Sequence, residues 1–143
     1  MVLSFASILL NGTVFFIPDS LDERASAQQF EGLLVGESQL RRVNKQIVWV
    51  TYLSDIQKNN LASLTDAQVQ LNNACDDAHQ YCILLAETDR SGIQLQYTNT
   101  SPPQLPIELP WYGGFVNPAN GAVYDLLGRA YVFQGTVEPL VVF

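Results

Sequence analysis

The stretch from Gly113 to Arg129 leaves the backbone little choice. It reads Gly-Gly-Phe-Val-Asn-Pro-Ala-Asn-Gly-Ala-Val-Tyr-Asp-Leu-Leu-Gly-Arg. Gly, Pro and Asn gather between Asn117 and Gly121, and a glycine returns at Leu127-Gly128, so the chain must turn twice in quick succession. Too few residues lie between the turns for a helix, but enough for short strands. A strand is predicted over Trp111 to Val116, a turn over Asn117 to Gly121, and a returning strand at Val123-Tyr124.

The same rhythm governs the rest of the chain from Phe30 onward. Phe30 to Glu37 carries apolar residues bounded by Gly32 and Gly36. Leu40 to Val43 and Ile47 to Leu53 are rich in β-branched and aromatic residues, with Asn44-Lys45 suited to a tight turn between them. Tyr81 to Glu87 is a continuous apolar run of strand length, which predicts a buried strand. Leu95-Gln96-Tyr97 predicts an edge strand, and Thr100 to Pro106 a proline-rich loop. Ala130 to Phe133 and Leu140 to Phe143 are expected to close the sheet. Helix is confined to one insertion. Ser54-Asp55-Ile56-Gln57 is a capping box that predicts about two helical turns, ending near Asn59-Asn60, and Thr65-Asp66-Ala67-Gln68 offers a second start. The expectation is a mainly β, antiparallel domain over residues 30–143 with a short helix-loop insertion.

Composition sets outer limits. At 143 residues, 48% hydrophobic and 15% charged, the chain suits one ordered domain with a real core. A net charge of −7 repels phosphate backbones and anionic lipid, which disfavours nucleic-acid partners.

Residues 1–18 carry no charge, and their apolar run is close to the lower limit for a membrane-spanning helix, although Asn11, Gly12 and Thr13 interrupt it. A buried core strand or a protein-packed helix is the plain alternative. Residues 19–29 are polar and rich in small side chains, as a tether would be, and Ser20 with Glu23 forms a further capping box.

The Gly113–Arg129 stretch resembles the second cluster-binding box of Rieske iron–sulfur proteins, whose pattern there is G-G-x-F-C-P-C-H-G-S-x-Y-D-x-x-G-R. The glycines, Pro118, Tyr124, Asp125 and Gly128-Arg129 are kept, whereas Asn117, Ala119 and Asn120 stand where the family has Cys, Cys and His. The resemblance extends to the Leu40–Leu53 hairpin. It also covers the strand before the first box, whose counterpart here is Thr88-Asp89-Arg90-Ser91-Gly92-Ile93 and which keeps only its glycine. Aligning the first box with Asp77 to Cys82 instead would put the apolar strand on the wrong side of it. The resemblance implies a Rieske-like head, a helix-loop insertion of the respiratory type, and one N-terminal transmembrane helix over residues 1–18. The vestigial ligand positions are Thr88, Arg90, Asn117 and Asn120. Ile93 and Ala119 mark the vestigial disulfide positions.

Counting residues leads to the same place without any alignment. A Rieske cluster takes two Cys thiolates and two His imidazoles. The chain has His79 alone, with Cys75 and Cys82. No cofactor, no metal and no catalytic residue are therefore expected. Asn117 and Asn120 are expected to hold their turn by side-chain hydrogen bonds. Cys75 and Cys82 fit either a disulfide or two inert thiols. Their C-x3-H-x2-C spacing with His79 falls short of a structural zinc pattern.

The resemblance implies a non-enzymatic accessory subunit of a respiratory membrane complex, of the cytochrome bc type or a supercomplex containing it. It would be single-pass, in a bacterial inner membrane with a periplasmic head or a mitochondrial inner membrane with an intermembrane-space head. Its partners would be membrane subunits of that complex. The rival readings are a binding module or assembly factor that reuses the empty tip, and, less favoured, an active electron-transfer subunit.

Overall fold

The computed structural model describes residues 30, 32–71, 75, 80–88, 92–135 and 137–143. The chain divides into two units, Met1–Glu31 and Gly32–Phe143, and all described residues but Phe30 belong to the second. The expected anchor over 1–18 and tether over 19–29 lie outside the described residues. Among the described residues, no helix is long and apolar enough to cross a membrane.

The second unit is mainly β. Strands β1 (Ser38–Val43), β2 (Gln46–Tyr52) and β3 (Tyr81–Leu85) form one antiparallel sheet in that order. Asn44 and Lys45 join β1 to β2 with φ of 50° and 69°, the left-handed pair that a two-residue hairpin needs. After a bend at Ala86, β4 (Glu87–Thr88) pairs with β5 (Ile93–Gln94) in a short hairpin. The third sheet is β6 (Gln96–Thr98), β7 (Gly114–Val116) and β8 (Val123–Asp125), again antiparallel. The strand expected over Trp111 to Val116 is thus shorter at its start. Pro110 precedes it, and its carbonyl accepts a hydrogen bond from the Tyr131 hydroxyl rather than from a neighbouring strand.

Helix α1 (Asp55–Ala62) begins at the Ser54 capping box with both halves made. Gln57 N–H donates to Ser54 Oγ, and Ser54 N–H donates to Gln57 Oε1. The helix runs past the expected stop at Asn59-Asn60, and Leu61 on its last turn is fully buried. Thr65 to Gln68 forms no helix. Only half of the box is made, Thr65 N–H to Gln68 Oε1, and the following backbone is captured by the C-terminal segment. Gln70 N–H donates to Ala130 O, Val132 N–H donates to Gln68 O, and Val69 bridges Tyr131.

Residues 130–143 close the sheets by isolated bridges rather than full strands. Ala130 bridges Tyr124, Val142 bridges Leu84, and a 3-10 turn covers Val132–Gln134. The two three-stranded sheets meet through aromatic rings. Trp49 on β2 lies 5.9 Å from Tyr97 on β6 and 5.5 Å from Phe115 on β7, and Tyr97 and Phe115 are 5.9 Å apart. Trp49 Nε1–H also donates to Leu95 O at 3.0 Å, so the indole ties the sheets by packing and by a hydrogen bond.

Gly114 sits where strand, indole and β8 converge. A Cβ there would lie 2.1 Å from Tyr124 O and 2.8 Å from the Trp111 ring. Backbone oxygen cannot yield as a flexible side chain can. Gly114→Ala is therefore expected to destabilise the domain by about 3 kcal/mol or more, read from the midpoint of urea unfolding. Unchanged stability would show that this close approach is absent.

Candidate functional site

The turn after β7 is built by its own asparagines. Asn117 Oδ1 accepts Ala119 N–H at 2.9 Å, and Asn120 Oδ1 accepts Ala122 N–H at 2.9 Å. Backbone bonds from Gly121 N–H to Asn117 O and from Asn117 N–H to Ala122 O close the loop. Both amide oxygens are thus engaged inside the turn, as in Asx turns. Asn117 is buried, whereas Pro118, Ala119 and Asn120 are exposed. The proline-rich loop braces this turn from outside, with Gln104 Nε2–H donating to Gly121 O at 3.0 Å.

The first-box segment lies on the β4–β5 hairpin. Thr88 pairs with Ile93 at its end, and Arg90 lies outside the described residues. Strand register relates the two loops. From the first loop the chain runs through β5 and Leu95 into β6, where Gln96 pairs with Val116, the residue before Asn117. Because β6 and β7 are antiparallel, the residue that opens β6, Gln96, lies opposite the residue that closes β7, Val116.

Below the second loop, β8 ends in a buried ion pair. Arg129 Nε–H donates to Asp125 Oδ2 at 2.7 Å, while Leu127 N–H and Arg129 N–H donate to Asp125 Oδ1 at 2.9 Å. Asp125 has no exposed surface, and Arg129 keeps 7% of its own. Burial pushes the Asp125 carboxyl up from its ordinary range, and the Arg129 guanidinium and the three hydrogen bonds oppose that shift. The guanidinium also reaches across the domain, where Nη2–H donates to Leu61 O at 2.9 Å. That carbonyl is in the last turn of α1, whose C-terminal end favours positive charge. Tyr131 stacks beside Trp111 at 5.8 Å, and its hydroxyl is raised by burial and by the negative Asp125. In the sequence, Asp125 and Arg129 figure only as members of the Gly113–Arg129 pattern. Their i, i+4 spacing was the available signal for a local pair, but nothing local announces the bond to Leu61.

Cys75 and Cys82 are joined in a disulfide. Cys82 sits in β3, and Cys75 N–H donates to Leu127 O, so the bridge links β3 to the Asp125–Arg129 turn. With both sulfurs bonded to each other, neither is a thiolate donor for zinc.

No protein-family model matches the chain, and no curated protein matches it significantly.

The donor set does not fit a [2Fe–2S] cluster. Positions 117, 119 and 120 offer amide oxygen and a methyl group in place of thiolate and imidazole. The amide oxygens are already committed to backbone N–H groups. Amide oxygen is also a poor match for iron that thiolate and imidazole hold in such centres.

Two outcomes follow from the buried pair and its tyrosine. Arg129→Met leaves Asp125 buried without a counter-charge and is expected to cost about 3–5 kcal/mol in urea unfolding. Arg129→Lys should recover little of that, because one ammonium cannot reproduce the forked contact with Asp125 and Leu61 O. Alkaline pH should also destabilise the domain. Tyr97, Tyr124 and Tyr131 all titrate above the ordinary 10.0 because burial favours their neutral form. The unfolded chain sheds those protons first, so stability falls as pH rises past that value. Unfolding free energies measured from about pH 8 to about pH 11 should decline, and Tyr131→Phe should flatten the decline.

Proposed function

We propose that the chain is a cluster-less, Rieske-like subunit that serves a respiratory membrane complex without carrying electrons. The observation that carries this reading is the Gly113–Arg129 pattern laid over a strand-turn-strand-turn whose former donor positions hold the turn instead. Asn117 and Asn120 each bond a backbone amide two residues on. The short β4–β5 hairpin supports it as well, since it pairs Thr88 with Ile93 just before the chain enters β6, the neighbour of β7.

On this reading the host is a quinol:cytochrome c oxidoreductase of the cytochrome bc type, or a supercomplex containing one. The N-terminal apolar segment anchors the chain as a single-pass helix. The head faces the periplasm or the intermembrane space, and the Cys75–Cys82 disulfide suits such an oxidising compartment. Neither Asn117 nor Asn120 titrates near neutrality, so neither could take up a proton from quinol as a ligand histidine does. What remains for the head is shape and attachment.

The full chain, tagged and extracted in mild detergent, tests this in two measurements. Iron and acid-labile sulfide should be far below one equivalent per chain, and respiratory-complex subunits should co-purify at a fixed ratio. Stoichiometric iron with a Rieske electron paramagnetic resonance signal would make it an electron carrier. Association with immature complexes only would make it an assembly factor. Either result sinks the proposal.

A further inference from the structure

The chain is acidic overall, yet three of its seven lysines and arginines, Arg41, Arg42 and Lys45, fall within one hairpin. A fourth, Arg129, is buried against Asp125. The hairpin that carries the cations is β1–β2, and β1 is the outer strand of its sheet.

The register shows which backbone groups of β1 face outward. Tyr52 N–H donates to Glu37 O, so Glu37 and Tyr52 form a hydrogen-bonded pair. Pairing alternates along an antiparallel ladder. Gln39–Val50, Arg41–Val48 and Val43–Gln46 are therefore the bonded pairs, and the N–H and C=O groups of Ser38, Leu40 and Arg42 point away from β2. Among the described residues no strand pairs with that edge. Among the described residues, Leu40 O receives a hydrogen bond from Arg41 Nη1 at 3.3 Å and none from a strand. Arg42 and Lys45 are exposed, and Leu40 keeps 36% of its surface.

We propose that this edge receives an extended acidic segment of a partner protein, which adds to β1 as a fourth strand. The outward backbone groups supply the main-chain bonds, and Arg42 and Lys45 select carboxylates on the incoming strand. A second copy of this chain is the wrong occupant, because β1 itself reads Ser-Gln-Leu-Arg-Arg-Val and offers no carboxylate to Arg42 or Lys45. Nothing in this proposal depends on the respiratory reading, and either can fail alone.

The probe is a fluorescein-labelled peptide of alternating glutamate and valine, added to the full chain in mild detergent. Anisotropy should report binding that weakens at least tenfold in Arg42→Glu/Lys45→Glu, and that weakens with added salt. A lysine–valine peptide should not bind. Amide exchange should slow at Ser38, Leu40 and Arg42 but not at Gln39 or Arg41, whose amides already face β2. The double variant lies on an exposed hairpin, and an unchanged urea midpoint would show that it still folds. Binding without that alternating protection overturns the proposal, as does equal binding by the double variant. So would binding to phosphatidylserine vesicles in place of the peptide, or dimerisation through β1.

Discussion

A charge pair that has left water organises this domain. Isolated, a carboxylate as buried as Asp125 would be prohibitive, and a guanidinium as buried as Arg129 nearly so. Together they are tolerable only because every contact is made at once. Two backbone amides and the guanidinium fill the carboxylate, and the remaining arm of Arg129 finds the carbonyl of Leu61. That last bond joins residues sixty-eight positions apart. The end of β8, the turn at Gly128 and the end of α1 are therefore tied by one hydrogen-bonded network. Gly128 itself shows how tight the assembly is, since a Cβ there would lie 2.8 Å from Leu84 Cδ2.

The Trp49–Tyr97–Phe115 triangle does a complementary job. Hydrophobic packing is tolerant of direction, whereas hydrogen bonds are not. Trp49 supplies both, so its ring fills the space between sheets while Nε1–H fixes its orientation on Leu95 O. Phe115 has no exposed surface, so the triangle is part of the core rather than a lid on it. The disulfide adds a third link, from β3 to the turn beneath the Asx loop.

Much of this was legible where local chemistry decides. Asn44 announces its turn because asparagine accepts a positive φ more readily than most residues, and Lys45 follows it into the left-handed region. Ser54 announces α1 because its capping box completes itself within four residues. Thr65 carries nearly the same signal and yields no helix. The difference is tertiary: Val69 and Gln70 are drawn into pairing with Ala130 and Tyr131, which no local window contains. The shortened β7 has a local origin, in the positive φ of 93° at Gly113, which breaks the extended run before Gly114. The sites divide the same way. The hydrogen bonds of Asn117 and Asn120 span two residues and could be anticipated, while the reach of Arg129 to Leu61 could not.

The substitutions in the second loop bear on how a fold outlives its chemistry. On the proposed reading, a metal once held this tip by bonds to side chains from two loops. Asparagine is a fitting heir because its amide oxygen closes a turn locally and asks nothing of the opposite loop. The second loop is then closed by its own side chains. Asp125 and Arg129 lie within the same stretch and tie it to α1. Arg129, whose partners are the backbone of α1 and its own turn, is explained by the fold alone, with no metal in the argument.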